Sequence, residues 1–316
     1  MRNKRTRIAL VVVLILALAL PLAACGSQSG GNSGNSSGGS DNSGQSNASA
    51  TIRVGSKDFT ESMVVAEIYS LALEKAGYTV DRKFAIAGSL IHQAITNNEI
   101  DLYPEYTGTG LLAWLQMDMM TDPQEVYDTV KSEYEKRFAI TWLDMSSAND
   151  GQGLVIRTDV AQKYGIVTIS DLQKHATDLR FCSQFEFDQR EDGIPLLEKV
   201  YGPFAWKEMK AFANGIKYDV LRNNEADVAP AYTTEGDLTD TDNFTLLVDD
   251  KYAWPPYNLV PIVRDEVLAA HPDIADILNN VSSHLDTPTL TELNAQVDVD
   301  KREVDEVAAD FFNSMN

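Results

Sequence analysis

From residue 51 onward, short apolar and β-branched runs alternate with longer segments in which apolar positions recur every three or four residues. The short runs are typical of strands and the longer spacing is typical of helices. Strands are predicted at Thr51–Gly55, Thr79–Ala85, Ile100–Tyr103, Gly153–Arg157, Leu179–Phe181, Ala226–Ala231, Leu246–Asp249 and Leu259–Arg264. Helices are predicted at Glu61–Ala76 after a Thr60 cap, from a Ser89 cap to Asn97, from Ser170, at Gly193–Tyr201 and Asp219–Asn223, with two or three near the end. This alternation predicts an α/β protein with mainly parallel sheets.

The order of these elements predicts two α/β lobes with a ligand cleft between them, because clefts between lobes are preferred ligand sites. The chain should cross between the lobes near 145–155 and 250–258. The second crossover contains Trp254–Tyr257, whose two prolines require an extended backbone. Lobe 1 is predicted to comprise 51–150 and 256–316, and lobe 2 to comprise 151–255. No internal repeat is apparent.

The first 24 residues have the pattern of a secretory signal. A basic start precedes the apolar run Ile8–Leu20, which is short for a membrane span and is followed by small residues. A retained N-terminal anchor is the alternative interpretation. The sequence Leu-Ala-Ala-Cys, ending at Cys25, resembles the bacterial lipobox, and this resemblance implies cleavage before Cys25 and a lipid on its sulfur. Residues 26–50 are almost all Gly, Ser, Asn and Gln, a composition that predicts a flexible tether.

Composition and motifs argue against several classes of function. The formal net charge is −21, whereas nucleic-acid binding requires clustered Lys and Arg. The sequence has no zinc-protease, Walker A or dinucleotide-binding motif, and its four histidines are scattered. A Gly-x-Ser-x-Gly match at 34–38 lies in the tether, without the strand-to-helix turn that a hydrolase needs. We therefore expect no enzyme activity, no cofactor and no metal. If Cys25 carries a lipid, Cys182 has no partner and should be a small buried apolar residue.

Tyrosines occur at the ends of two predicted strands and in the second crossover. Tyr106 follows one strand, Tyr232 follows another, and Tyr257 lies in the crossover. Rings on connecting segments have no obvious core to fill, and functional residues often lie on such segments. Ligand binding and ordinary core packing are both consistent with this placement.

Five motifs then occur in order along the chain. They are Val54–Glu61, Glu99–Thr109, Phe185-Glu186 with Arg190–Gly193, Ala231–Gly236, and Pro255–Tyr257. Together they resemble the glycine betaine/carnitine/choline-binding proteins of osmoprotectant ABC importers, from about residue 51 to the end. The resemblance implies a monomeric two-lobe, periplasmic-binding-protein-like fold of type II. It also implies an extracytoplasmic, lipid-anchored receptor that closes on a quaternary-ammonium solute and delivers it to a permease with a cytoplasmic ATPase.

Carried over by position, the resemblance implies an aromatic cage made of Tyr106, Tyr232 and Tyr257. Such a cage suits a trimethylammonium group, which has a charge but no N–H for hydrogen bonding. Aromatic faces attract such a cation by about 0.5–2 kcal/mol per contact, depending on desolvation. The methyl groups also gain from burial against the rings.

The resemblance further implies residues for a ligand carboxylate. Lys57, Thr109 and Arg190 would hold that group, and Glu186 would support the site or the closure of the lobes. Simpler interpretations stay open, since Lys57 could be a solvated loop lysine and Arg190 could form a surface ion pair with Glu186 or Asp192.

One position departs from the family. Where family members often have another cage tyrosine, this chain has Gln152. The cage would lose one ring and gain an amide, which could reach a hydroxyl or amide on a ligand such as carnitine. Asp150 could supply negative charge nearby. The alternatives are the same fold binding another small polar solute, such as an amino acid or a polyamine, and a lipoprotein with no role in transport.

Overall fold

A computed structural model of the chain describes residues 50–184, 187–188, 192–212 and 216–315. The predicted signal, Cys25, the tether, Glu186 and Arg190 therefore lie outside the described residues. The strands are β1 (Thr51–Lys57), β2 (Thr79–Ile86), β3 (Leu102–Tyr106), β4 (Ile140–Trp142), β5 (Gln152–Arg157), β6 (Arg180–Gln184), β7 (Glu208–Phe212), β8 (Val228–Tyr232), β9 (Phe244–Leu246) and β10 (Leu259–Arg264).

Twelve α-helices accompany these strands in the described part of the chain. They are α1 (Thr60–Lys75), α2 (Ile91–Thr96), α3 (Thr107–Thr109), α4 (Pro123–Phe138), α5 (Thr158–Tyr164), α6 (Ile169–His175), α7 (Ile194–Tyr201), α8 (Lys217–Arg222), α9 (Asp265–Ala270), α10 (Asp273–Ser282), α11 (Thr287–Asp298) and α12 (Val304–Ser314). Within the described ranges, no helix has both the length and the apolar character needed to cross a membrane.

The strands form two five-stranded sheets with the same topology. The first sheet has the order β2-β1-β3-β10-β4, and the second has the order β7-β6-β8-β5-β9. In the first sheet β1 is parallel to β2 and β3, whereas β10 is antiparallel to β3 and β4. In the second sheet β6 is parallel to β7 and β8, whereas β5 is antiparallel to β8 and β9. The expectation of mainly parallel sheets is therefore wrong, because each sheet also receives a strand that arrives from the other one.

Both sheets are buried on their two faces. Along β10, Leu259 and Val263 pack into one apolar cluster with α1, α10 and α11, while Val260 and Ile262 pack into another on the opposite face. This alternation follows from the two-residue period of a strand, and burial on both faces explains why β10 reads as a continuous apolar run. Cys182 is fully buried in the second sheet, as predicted, and burial raises the pKa of its thiol to about 11.

The two crossovers run side by side between the sheets. The first connects β4 to β5 and the second connects β9 to β10, with Asn149 and Asn258 paired between them. Thr107 accepts from the Asn258 backbone N–H and donates to the Pro256 carbonyl at 3.0 Å. Thr233 does the same for the first crossover, accepting from Gly151 N–H at 2.8 Å and donating to the Asn149 carbonyl at 2.9 Å.

The matching roles of these two threonines reveal an internal repeat that was not apparent from the sequence. Residues 97–107 and 223–233 share Asn, Asn, Glu, Asp, Pro, Tyr and Thr at equivalent positions, and each segment leads into the middle strand of its sheet. Tyr106 and Tyr232 are therefore equivalent residues in the two lobes. The repeat is short and its intervening positions differ, so it gives only a weak signal in the sequence.

The same repeat places an ion pair at the entrance of each middle strand. Asp101 pairs with Arg53 of the adjacent strand at 2.5 Å, and Asp227 pairs with Arg180 at 2.6 Å. In both lobes the arginine also donates from its backbone N–H to the same carboxylate at 2.8 Å. The first carboxylate also accepts from a second arginine, Arg264, at 2.9 Å, whereas the second arginine near Asp227, Arg157, is 3.9 Å away.

Several predicted helix starts and element counts need correction. The residue before α1 is Phe59, and the Thr60 hydroxyl donates to Asp298 at 2.7 Å instead of capping the helix. Similarly, α2 begins at Ile91 without a side-chain cap from Ser89. The sequence prediction omitted α4, although Asp122 caps it, and omitted β7, whose exposed positions have no apolar pattern. Four helices, not two or three, follow β10.

Candidate ligand-binding site

A cavity of about 1450 Å³ lies between the two sheets. The first lobe, built on the β1 sheet, contributes the ends of β1 and β3 together with α1 and α3. The second lobe, built on the β5 sheet, contributes β5, α7 and the end of β8. The carboxyl ends of the parallel strands β1 and β3 thus face the cavity, which is the usual place for ligands in α/β sheets.

The cavity brings together the predicted site residues that the structure describes. Its wall includes Lys57, Tyr106, Thr109, Gln152, Tyr232 and Tyr257. The remaining predicted residues, Glu186 and Arg190, lie outside the described residues. Residues far apart in sequence thus meet at one place, and their roles toward a ligand are taken up below as a proposal.

Tyr106 is held in position from several sides. It is 3% exposed, and its hydroxyl donates to Glu61 Oε1 at 2.8 Å. The Phe59 ring lies 6.0 Å from its ring centroid, and the Lys57 ammonium lies 5.0 Å from that centroid. Burial raises the pKa of the Tyr106 phenol well above its usual value, and the charges of Glu61 and Asp150 add to this effect. The ring therefore stays neutral and fixed at the cavity wall.

Lys57 is buried and paired, so the interpretation as a solvated loop lysine is wrong. It is 6% exposed, and its ammonium donates to Glu105 Oε1 at 2.5 Å. Glu105 is fully buried and also accepts from Tyr103 OH at 2.8 Å and Trp114 Nε1 at 3.1 Å. Since this carboxylate lies beside the ammonium, it balances most of the charge that Lys57 brings to the cavity.

Among the residues that the structure describes, no lysine or arginine forms an ion pair with two other carboxyl groups at the cavity, those of Glu61 and Asp150. Glu61 is 2% exposed and accepts from Asn294 Nδ2 at 3.0 Å as well as from Tyr106. Asp150 accepts from the Thr234 hydroxyl at 2.7 Å. Burial raises the pKa of Glu61, against hydrogen bonds from Thr234, Tyr106 and Asn294. Burial also raises the pKa of Asp150, and the charge of Glu61 raises it further.

Tyr232 and Gln152 are paired on neighbouring strands of the second sheet. Tyr232 ends β8 and is 37% exposed, and Gln152 begins β5 directly opposite it. Directly opposed residues on neighbouring strands have Cβ atoms about 5 Å apart. The amide that replaces the expected fourth ring therefore lies next to an existing ring of the candidate cage.

The sequence analysis missed Glu61 and Asn294 as members of this site. Glu61 ends the first motif and is an acidic residue in the first turn of an apolar helix, which was a usable signal. Asn294 had no local signal, because its importance comes from α11 reaching both lobes. Its Nδ2 donates to Glu61 in the first lobe and to the Thr234 carbonyl in the second at 2.8 Å.

Tyr257 packs tightly against the first lobe at Gly108. A Cβ added to Gly108 would lie 2.8 Å from two Tyr257 ring atoms and 2.9 Å from the Pro256 carbonyl oxygen. We expect Gly108→Ala to lower the free energy of unfolding by about 1–3 kcal/mol, because the ring and the crossover backbone must both move. Urea denaturation checks this. Gly88→Ala is the matched control, since its nearest neighbour would be 4.0 Å away, and equal losses in both variants would contradict the tight packing.

Comparison with known proteins agrees with this architecture. Residues 50–314 match the family OpuAC, described as the substrate binding domain of ABC-type glycine betaine transport system. The chain is 32% identical over 270 residues to the carnitine transport binding protein OpuCC of Listeria monocytogenes. The alignment covers 84% of this chain and 87% of that protein.

A second relative is the ergothioneine transport permease/ergothioneine binding protein EgtU of Helicobacter pylori strain G27. It is 32% identical over 265 residues and covers 83% of this chain, which spans only 47% of that relative's length. A solved structure described as a glycine betaine/carnitine/choline ABC transporter superposes with a TM-score of 0.77 at 26% identity. It covers 83% of this chain and 98% of that chain. The predicted two-lobe α/β fold is thereby confirmed, and the chain belongs to the family of substrate-binding domains of ABC-type glycine betaine transport systems.

Proposed function

We propose that this protein is the extracytoplasmic substrate-binding component of an ABC transporter that imports quaternary-ammonium solutes of the glycine betaine, choline or carnitine type. The observation that carries the proposal is the convergence of Tyr106, Tyr232 and Tyr257 on one cavity beside the carboxyl groups of Glu61 and Asp150. The first two rings come from equivalent positions of the internal repeat, one from each lobe, and the third comes from the crossover between the lobes.

This combination suits a cation that has no hydrogen to donate. Ring faces attract a trimethylammonium group through their quadrupole and cover its methyl groups. The Glu61 and Asp150 oxygens already accept from Tyr106, Asn294 and Thr234, so the carboxyl groups act on the ligand mainly through charge. A primary ammonium would lose its hydration here and find few free acceptors, and its binding would be weaker.

The proposal includes the placement and partners of the receptor. Residues 1–24 would be a secretory signal, Cys25 would carry a lipid, and 25–50 would link the folded part to the membrane. Lobe 1 would comprise 51–150 and 256–316, and lobe 2 would comprise 151–255, with closure about the crossovers. A monomer would then present its ligand to a permease coupled to an ATPase. The carnitine and glycine betaine named in the relatives' descriptions support this transport role.

A ligand panel tests the proposal directly. The chain from residue 26 onward is titrated with glycine betaine, choline, carnitine and ergothioneine, following both heat release and thermal unfolding. A ligand present at 100 times its Kd should stabilise the fold by about 2.7 kcal/mol. Ethanolamine is the matched control, since it is choline without the three methyl groups. Absence of heat and stabilisation with every quaternary amine at millimolar concentration would refute the proposal.

A second candidate function is the same receptor fold binding a different polar solute, such as an amino acid or a polyamine. Gln152 beside Tyr232 favours it, because an amide can donate and accept hydrogen bonds where a ring cannot. Adding glutamine, proline and putrescine to the same panel separates the two functions. Stabilisation by one of these solutes alone would favour the second candidate.

A further inference from the structure

Asp150 lies at the meeting point of the two lobes and the first crossover. Its backbone N–H donates to the Tyr257 carbonyl at 3.1 Å, and its carboxyl accepts from Thr234 of the second lobe. The carboxyl lines the same cavity as Glu61 and Tyr106; the charge of Glu61 raises the pKa of Asp150, and the charge of Asp150 raises the pKa of the Tyr106 phenol. Asp150 therefore adds a second carboxyl group to the part of the cavity where the rings converge, and a cation bound there would favour the negatively charged form of both carboxyl groups.

This negative charge is not balanced by the described residues. Neither Asp150 nor Glu61 forms an ion pair with a lysine or arginine in the part of the chain that the structure describes. Lys57 is paired with Glu105, and Lys217 is paired with Glu235. The other lysine at the described cavity wall, Lys199, is an exposed residue of α7. A ligand would thus supply the positive charge that the inner wall lacks.

A zwitterion and a simple cation should differ in their affinity for this part of the cavity. In glycine betaine the carboxylate is one carbon from the ammonium, so with the ammonium among the rings its carboxylate must lie near Asp150 and Glu61. Like charges a few ångströms apart repel strongly in a partly desolvated cavity. In choline a hydroxyl replaces that carboxylate, which removes the repulsion.

We infer that Asp150, together with Glu61, makes this cavity selective for quaternary-ammonium compounds of net positive charge, such as amino alcohols, over zwitterions with a carboxylate close to the ammonium. This inference rests on the proposed function. Asp150 is its specificity-determining residue, because Glu61 also anchors Tyr106 and Asn294, whereas the Asp150 carboxyl faces the cavity with Thr234 as its side-chain partner.

The test compares choline with glycine betaine by calorimetry on the chain from residue 26 onward. We expect choline to bind at least about tenfold more tightly, which is about 1.4 kcal/mol.

Asp150→Asn keeps the shape and an acceptor for Thr234 but removes the charge. It should weaken choline about tenfold and leave glycine betaine unchanged or improved. Asp58→Asn is the matched control, because it removes an equal charge from an exposed residue of the same cavity wall, and it should leave the ratio of affinities within about twofold of the unaltered chain.

The unaltered chain provides a second readout that needs no variant. The titratable groups facing Asp150 are Glu61 of α1, Tyr106 of β3 and Glu235 after β8. Because burial raises the carboxyl pKa values, the preference for choline should increase as pH rises through the raised pKa values and the pair loses protons.

The outcomes separate this inference from the proposed function. Three results would overturn the charge selection and leave the quaternary-amine receptor intact. They are binding of glycine betaine that equals or exceeds that of choline, an equal loss of affinity for both ligands in Asp150→Asn, and a ratio of the two affinities that does not change with pH. If neither choline nor glycine betaine binds, and no other quaternary amine binds, both the charge selection and the proposed function are overturned.

Discussion

Asp101→Asn is expected to lower the free energy of unfolding by about 3–5 kcal/mol, the usual loss when one partner of a buried ion pair is removed. The Asp101 carboxylate accepts from Arg53 of β1 at 2.5 Å and from Arg264 of β10 at 2.9 Å. Both Asp101 and Arg264 are 5% exposed. An amide in this place would remove the carboxylate that Arg53 and Arg264 share, at the point where three neighbouring strands of the first sheet are joined. Among the described residues, Arg264 would keep only the exposed Glu266 as an ion-pair partner.

The internal repeat provides a matched control for this variant. Asp227→Asn removes the equivalent carboxylate in the second lobe, where Arg180 is close but Arg157 lies 3.9 Å away and is bonded to Asp159. We expect a smaller loss of about 1–3 kcal/mol. Urea denaturation of both variants makes the comparison. A loss in Asp101→Asn no larger than that in Asp227→Asn would contradict the role of the second, buried arginine.

The second carboxylate also predicts a pH dependence. Burial raises the pKa of Asp227, but hydrogen bonds and charge from Arg180, with Arg157 adding to them, lower it by more, so the net pKa is below its usual value. The stabilisation from this pair is therefore present above the ordinary carboxyl pKa and is lost as pH falls through the lowered one. The difference in stability between the unaltered chain and Asp227→Asn should shrink in acid, and a constant difference down to about pH 2 would contradict it.

Tyr106→Ala is expected to weaken choline binding by about 100-fold. Loss of a desolvated ring contact with the cation costs about 2 kcal/mol, and lost methyl burial adds about 1 kcal/mol, which together correspond to about two orders of magnitude in Kd. Tyr106→Phe separates the ring from its hydroxyl. It keeps the aromatic face but loses the hydrogen bond to Glu61, so affinity should change only a few-fold.

The control for ring loss is Tyr252→Ala, since Tyr252 is 69% exposed and is not part of the cavity wall. Because Tyr106 is buried, each variant is first checked for cooperative unfolding, and calorimetry then gives Kd for the folded fraction. Unchanged affinity in folded Tyr106→Ala would exclude Tyr106 as a cage member. A large loss in Tyr252→Ala would show that ring removal acts on the fold and not on the ligand.

Much of the fold was predictable because its signals are local. The strand Leu259–Arg264 was predicted at its observed bounds, since an apolar run that lies between the Pro255-Pro256 pair and an acidic helix start has few alternatives. The burial of Cys182 followed from its lack of a predicted disulfide partner, since an unpaired cysteine behaves as a small apolar residue. In contrast, the mixed sheets were mispredicted, because the direction of β10 depends on which end of the sheet it enters after the crossover.

The candidate site likewise has residues that the sequence indicated and partners that only the fold identified. The motifs indicated Tyr106, Tyr232 and Tyr257, since strand ends and turns carry recognisable residue types. The partners of those residues came from other parts of the chain. Lys57 meets Glu105 across 48 positions, and Glu61 meets Asn294 across 233 positions.

The sequence by itself thus determined the order of elements, the family and the rings that end two equivalent strands, because hydrophobic periodicity and motif chemistry are properties of neighbouring residues. Only the tertiary structure decided which charges are balanced and which are not. Lys57 and Asp150 were both predicted as charged residues of the site, but only the fold places Glu105 beside Lys57 and places Asp150 on the same cavity wall as Glu61. Charge balance depends on distance and burial, and both are set by long-range contacts between lobes that no local pattern encodes.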